Sequence, residues 1–161
     1  MSGEVSFLKP AAVNPATSPA LTDALQASVR AKTAEVLALL KAASNELSPI
    51  TFANSFGAED MVLTDIILKN QLPIETFSLD TGRLPVETYD LIAKTEQHYN
   101  TKLNVYFPQA QAVEFYVKNH GINAFYESID LRKSCCHMRK VEPLQRALSG
   151  KQAWVTGMRA A

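Results

Sequence analysis

The sequence predicts an α/β fold, a mostly parallel sheet with helices on both faces, and three observations carry that reading. Short apolar runs recur at residues 50–55, 75–79, 103–107 and 153–157. Stretches with helical apolar spacing lie between them. The most distinctive polar, glycine-bearing sequences fall just after the runs, where open parallel sheets bind their ligands. Strands alternating with helices at this spacing imply parallel pairing, because parallel neighbours need a long crossover.

The elements follow in order. Residues 1–20, with Pro10, Pro15 and Pro19, read as a flexible N-terminal arm, and residues 21–161 as one α/β domain. Thr22-Asp23 offer caps to a helix over 24–47, in which Leu25, Val29, Val36, Leu37 and Leu40 recur at helical spacing. Residues 50–55 form a buried strand, and Phe56-Gly57-Ala58 turns the chain into a helix over 59–68. A second strand, 75–79, ends in Asp80-Thr81-Gly82-Arg83. Pro85 suits the first position of the next helix, Val86–Tyr99. A third strand spans 103–107, and a helix over 110–119 stops at Gly121. A helix over 134–148 has Ser134 as candidate cap and Ser149-Gly150 as stop. Residues 153–157 make the fourth strand.

A chain of 161 residues suits one domain on the usual figure of roughly 150. Sixteen basic and sixteen acidic side chains cancel without a long run of either sign, which argues against a nucleic-acid stripe or a polybasic membrane anchor. A small anion held by a local cluster stays compatible. No apolar stretch approaches the ~20 residues of a membrane helix, and residues 1–19 lack the apolar centre of a signal peptide. The only thiols are the adjacent Cys135 and Cys136, a poor structural staple, so the reducing cytoplasm is the expected compartment.

Four segments could carry chemistry. Ser55-Phe56-Gly57-Ala58-Glu59-Asp60 joins a strand to a helix, where a hydroxyl and unpaired N–H groups can cradle an anion. No Gly-Lys-Ser/Thr follows, so it is not a Walker loop, and it equally suits an ordinary turn capped by Ser55. In Leu79-Asp80-Thr81-Gly82-Arg83, Gly82 allows close backbone approach, Thr81 offers a hydroxyl, and Arg83 can fork onto a phosphate. A polar turn with Asp80 as cap and Arg83 in solvent fits as well. Gly157-Met158-Arg159 puts a cation at a strand end, or a solvated arginine there. Lys133-Ser134-Cys135-Cys136-His137-Met138-Arg139-Lys140 is the most unusual stretch. Two thiols at a predicted helix start among three cations favour the thiolate form, which ligates iron–sulfur clusters and zinc. A four-thiolate site would need two more cysteines, and His137 is available as a third ligand. The competing reading is a pair of free cysteines without a role. His98 and His120 have no partners in sequence and read as structural.

Taken together, these segments resemble the assimilatory sulfonucleotide reductases, the adenylyl-sulfate and phosphoadenylyl-sulfate reductase family. The likeness runs from about residue 50 to Arg159. Ser55-Phe56-Gly57 with Glu59 is similar to the family's modified pyrophosphatase-type loop. Ser78-Leu79-Asp80-Thr81-Gly82-Arg83, with Pro85 and Glu87-Thr88-Tyr89, is similar to its nucleotide-pocket signature. Lys133 to Val141, with Pro143-Leu144, resembles its cluster-binding segment, and Ala153-Trp154-Val155-Thr156-Gly157-Met158-Arg159 a strand preceding further substrate arginines.

The resemblance implies an adenine nucleotide α-hydrolase-like fold of the PP-loop type and a thioredoxin-dependent reduction of adenylyl sulfate to sulfite and AMP in sulfate assimilation. It implies Ser55, Phe56, Gly57, Leu79, Thr81, Gly82, Arg83, Lys140, Gly157 and Arg159 as substrate-binding residues, with Ser55 and Leu79 bordering ribose and adenine and Lys140 and Arg159 meeting the phosphosulfate. Cys135 and Cys136 would supply two of the four ligands of a 4Fe-4S cluster. In this family the double cysteine accompanies a preference for adenylyl sulfate over its 3′-phosphorylated form. The implied partners are adenylyl sulfate, thioredoxin or a similar dithiol donor, and, in a homo-oligomer, further copies of the chain.

Family members continue for tens of residues past the position matching Ala161. There they carry a second cysteine pair, more arginines and the catalytic cysteine, so no catalytic residue is expected in these 161 residues. A fragment, inactive alone, is the expectation. Three alternatives keep the fold: a phosphoadenylyl-sulfate reductase, an ATP-pyrophosphatase relative that adenylates a substrate, and a non-catalytic adenine-nucleotide-binding module with redox- or metal-sensing cysteines.

Overall fold

The computed structural model describes residues 22–158, so the predicted N-terminal arm and Arg159 lie outside the described residues. Six helices and four strands alternate: α1 (Asp23–Glu46), β1 (Ile50–Ala53), α2 (Ala58–Lys69), β2 (Ile74–Leu79), α3 (Val86–Tyr99), β3 (Asn104–Tyr106), α4 (Ala110–His120), α5 (Ile129–Cys136), α6 (Glu142–Leu148) and β4 (Ala153–Val155). A single 3₁₀ turn, Ala124–Tyr126, precedes α5, and a π-helical turn, His137–Val141, joins α5 to α6.

All strand pairs are parallel, in the order β3-β2-β1-β4. The chain steps outward from β1 to β3 and then returns to add β4 beside β1. The strand order therefore reverses at the β1/β4 boundary. α2 packs on the sheet, α3 is joined to α2 through the Tyr99 hydroxyl, which donates to Asp65, and α6 packs over β2 and β3.

Register sorts the core. Ile50 pairs with both Ile74 and Ala153, and Phe52 pairs with Val155, so these side chains share one sheet face. Ile50, Phe52 and Ile74 pack there with Ile66 and Ile67 of α2 and Leu40 of α1. Phe52 is fully buried and Ile67 is 1% exposed. Phe77 is equally buried and belongs to the opposite face, since it pairs with Ala53. Pro143 and Ala147 of α6, which packs over β2 and β3, are buried there. A second, smaller cluster joins Tyr116 of α4, Ala124 and Cys135. No helix among the described residues is long and apolar enough to cross a membrane.

Beneath the sheet ends, Glu75 of β2 accepts from Lys151, just before β4, and from Asn104 of β3. The hydrogen bond from Lys151 holds the Glu75 carboxyl below the ordinary range, with its charge and Asn104 adding to it against a desolvation that pulls the other way. A depressed carboxyl contributes stability above its unfolded pKa of about 4.3 and loses it as pH falls through the lower folded value. Because the pair is partly exposed, Glu75→Gln is expected to cost only about 0.5–1 kcal/mol at neutral pH. Urea unfolding should show the two proteins converging in acid, and a gap that widens below pH 4 would refute this.

One helix begins elsewhere than expected. The sequence suggested a start at Ser134, but α5 starts at Ile129. Ser128 is the cap, with its Oγ accepting from the Leu131 N–H at 3.1 Å. Asp130 in the first turn supports that start through the helix dipole. Cys135 and Cys136 consequently occupy the last turn of α5 and not its start.

Candidate active site

The loop leaving β1 is held by its own side chains. Asn54, 3% exposed, accepts from the Phe56 N–H at 2.7 Å and donates to Thr64 Oγ1 at 3.0 Å. This grip sustains Phe56 at φ 62°, a left-handed conformation that costs a non-glycine residue free energy unless its surroundings enforce it. The Phe56 ring is buried, and Gly57 starts α2.

Asp60, in the first turn of α2 and 4% exposed, is the hub. Its Oδ2 accepts from both the Ser55 N–H and the Ser55 hydroxyl at 2.6 Å. Its Oδ1 accepts from the Gly157 N–H at 2.8 Å. One carboxylate thus ties the end of β1 to the end of β4 across the switch point. A Cβ on Gly157 would fall 2.3 Å from Asp60 Oδ1, so glycine is the residue that fits.

The loop after β2 is built around a second buried acid. Asp80, 4% exposed, accepts from the Gly82 N–H at 2.7 Å and from the Tyr89 hydroxyl at 2.8 Å. The bond to Asp80 pushes the Tyr89 phenol above its ordinary range, with lesser help from desolvation. Gly82 has φ 71°, and a Cβ there would meet Arg139 Nη1 at 3.1 Å. That Nη1 donates to the Thr81 carbonyl at 2.6 Å. Arg139 is 9% exposed, and its Nε is buried without a partner.

Two clefts flank this loop. The first, of about 230 Å³, is lined by Ser55, Leu79, Thr81, Leu84, Thr88 and Lys140 among others. The second, of about 410 Å³, is lined by Cys135, Cys136, Arg83, Arg132 and Arg139, again with Thr81 and Lys140. No carboxylate lines either cleft. Thr81 and Lys140 form the wall between them.

Of the residues singled out in the sequence, Ser55, Leu79, Thr81 and Lys140 come together in the first cleft, while Cys135 and Cys136 share the second. Phe56 and Gly57 shape the β1 loop from behind, and Gly157 meets it through Asp60. Gly82 supplies the turn. Arg83 points away from the first cleft, onto the Ile122 carbonyl and the Phe125 ring at 4.7 Å. The thiols diverge: Cys135 is 8% exposed and Cys136 open to solvent.

Asp60, Asn54, Asp80 and Arg139 were not singled out as site residues. The available signal was weak, since Asp60 in the first turn of a helix reads as a dipole-favoured surface acid. Arg139 reads as one more member of a basic flank.

Among the described residues no group of three or more His, Cys, Asp or Glu side chains forms a metal site. Two thiols bordering one cationic cleft nevertheless suit half of a thiolate-ligated anionic cluster.

The chain is similar to known proteins. The adenosine 5′-phosphosulfate reductase of Allochromatium vinosum is 52% identical over 127 residues, which cover 79% of this chain and 50% of that protein. That of Burkholderia cepacia is 49% identical over 142 residues, covering 88% and 57%. The chain spans about half the length of these curated relatives. The crystal structure of phosphoadenylyl-sulfate reductase from Candida auris, in its phosphate complex, superposes with a TM-score of 0.66 at 27% identity, covering 89% of this chain and 71% of that one. The family model for the phosphoadenosine phosphosulfate reductase domain matches residues 49–161, every strand and both clefts included, and the chain belongs to that family.

Proposed function

We propose that this chain is the sulfonucleotide-binding part of a reductase that converts adenylyl sulfate to sulfite and AMP. The observation that carries the reading is the shared wall: Thr81 and Lys140 border both a cleft at the strand ends and a cleft holding the only two thiols. A nucleotide with adenine and ribose along Leu79 and Ser55 has its charged end at Lys140, beside the cysteines. The N–H groups of Ser55, Phe56, Gly57 and Gly82 are taken by side chains of their own loops, so the Lys140 ammonium and the Thr81 hydroxyl would be the groups that meet the phosphosulfate. Arg159 would add a second cation.

The chemistry of the whole reductase needs a further thiolate. That thiolate attacks the sulfate sulfur, the S–O bond to AMP breaks, and an S-sulfo cysteine forms. One thiolate of a dithiol such as thioredoxin would then attack the cysteine Sγ, breaking its bond to the sulfo group, releasing sulfite and forming a mixed disulfide, which the second thiolate resolves to leave the oxidised dithiol and the free cysteine. Cys135 and Cys136 would hold two corners of a 4Fe-4S cluster, which when bound supplies a local field beside the sulfate. In this reading they are ligands, so the attacking cysteine lies outside these 161 residues and the chain alone binds without turning over. A reducing cytoplasm suits such thiols.

Calorimetric titration of the purified chain with AMP tests the reading. Saturable binding without sulfite release from adenylyl sulfate is the expected result. Failure to bind AMP sinks the nucleotide assignment, and sulfite release sinks the division of labour. Titration with adenosine 3′,5′-bisphosphate distinguishes the phosphoadenylyl alternative, which requires that nucleotide to bind more tightly.

A further inference from the structure

Arg83 was expected at the nucleotide, and its surroundings give it a different task. Gly82, at φ 71°, turns the chain so that Thr81 stays in the wall between the clefts while Arg83 leaves toward the α4–α5 connection. There its Nη2 donates to the Ile122 carbonyl, both Nη atoms lie 3.4 Å from Asn123 Oδ1, and the guanidinium stacks 4.7 Å from the Phe125 ring centre. Residues 122, 123 and 125 are thus gripped by one side chain from a distant loop. Gly121, at φ 95°, ends α4, and a single 3₁₀ turn follows before α5, with the Phe125 carbonyl also accepting from Arg132 Nε at 3.3 Å, so Arg83 is the tie that reaches this segment from outside the α4–α5 region. In the middle of this segment Ala124, 1% exposed, packs with Tyr116 against Cys135.

We infer that Arg83 is a positioning residue for the cysteine pair: by pinning residues 122–125 it keeps Ala124 over Cys135, so that Cys135 is held and covered while Cys136 stays open. The device acts through the backbone of the connection and not through the nucleotide. Its thiol half stands on the fold alone, and only the contrast with nucleotide binding rests on the function proposed above. For a cluster that takes both thiolates, this fixes one ligand in place before the other engages.

The test uses the full chain, reduced and then freed of reductant, with Ellman's reagent as the thiol probe and AMP as the nucleotide. The native chain is expected to react in two phases, with the fast one lost in Cys136→Ser. In Arg83→Ala the slow phase should accelerate by about tenfold or more, because local opening of the connection exposes Cys135. Arg83→Lys should accelerate it nearly as much, since an ammonium cannot form the same fork or stack. AMP affinity should stay within about twofold in both, an effect too small to reflect a lost charged contact. Where Arg83→Ala does not fold, Asn123→Ala removes one partner of the guanidinium and should shift the slow phase in the same direction. An unchanged slow phase in the folded variants overturns the inference. So does a tenfold loss of AMP affinity with Cys135 still protected, which would return Arg83 to the nucleotide. If AMP binds no form of the chain, the proposed function fails, while the thiol kinetics still decide the positioning role.

Discussion

Asp60→Ala is expected to cost about 3 kcal/mol of stability and to abolish measurable AMP binding. The carboxylate is 4% exposed and accepts three hydrogen bonds, two from Ser55 and one from Gly157. Alanine leaves the Ser55 and Gly157 N–H groups without an acceptor at the switch point. It also frees the ends of β1 and β4 to move apart, which deforms the cleft edge that Ser55 occupies. Asp60→Asn keeps the shape but turns one acceptor oxygen into a donor facing other donors, so it should recover only part of the loss. Gly157→Ala attacks the same junction from the other side. Its Cβ would lie 2.3 Å from Asp60 Oδ1 and 3.0 Å from the Asp60 N. A side-chain rotation cannot relieve the second contact, and overpacking of this kind costs about 1–3 kcal/mol. Urea unfolding of the three variants checks the order, and an Asp60→Ala midpoint equal to that of the native chain would remove Asp60 from its role.

Lys140→Ala should weaken AMP binding about tenfold and leave adenosine within about twofold, because in the proposed binding mode the exposed ammonium meets only the charged end of the nucleotide. Lys140 borders both clefts, yet its neighbour in the π-helical turn is committed elsewhere, with Arg139 Nη1 on the Thr81 carbonyl. The distinction is testable by salt. An exposed cation loses leverage as the Debye length shrinks from about 10 Å at 0.1 M to about 3 Å at 1 M, so the native and variant affinities should converge. Equal losses for AMP and adenosine would mean that Lys140 shapes the cleft instead of meeting the phosphate. Arg139→Met should instead destabilise the fold, since it removes a buried hydrogen bond that fastens the β2 loop to the π-helical turn.

Much of this was readable along the chain. Apolar runs bounded by Gly, Pro and Asp marked all four strands, although only the central pair, β1 and β2, is buried on both faces. The helix Val86–Tyr99 matched its prediction at both ends because Pro85 and Asn100 punctuate it; Asn100 closes it in the left-handed conformation. The α5 start was misplaced because Ser128 and Ser134 are both credible caps. Only packing of Cys135 beside Tyr116 and Ala124 decides between them.

By itself, the sequence determined the alternation of elements, the parallel sheet that follows from it, and the rule that ligand residues sit at strand ends. That sufficed to gather Ser55, Leu79 and Thr81, because strand-end position is a property of local order along the chain, whereas Lys140, in the π-helical turn, entered through the family resemblance. The tertiary structure alone decided where side chains point. A buried acid and a surface acid look identical in sequence, yet Asp60 became the tie between two strands because β4 returns beside β1. Neighbouring cations were separated in the same way: Arg139 turned inward to a carbonyl, Lys140 outward to a cleft, and Arg83 across to another loop. Direction depends on which distant backbone groups lie within hydrogen-bonding reach, and only the packed chain brings those groups near.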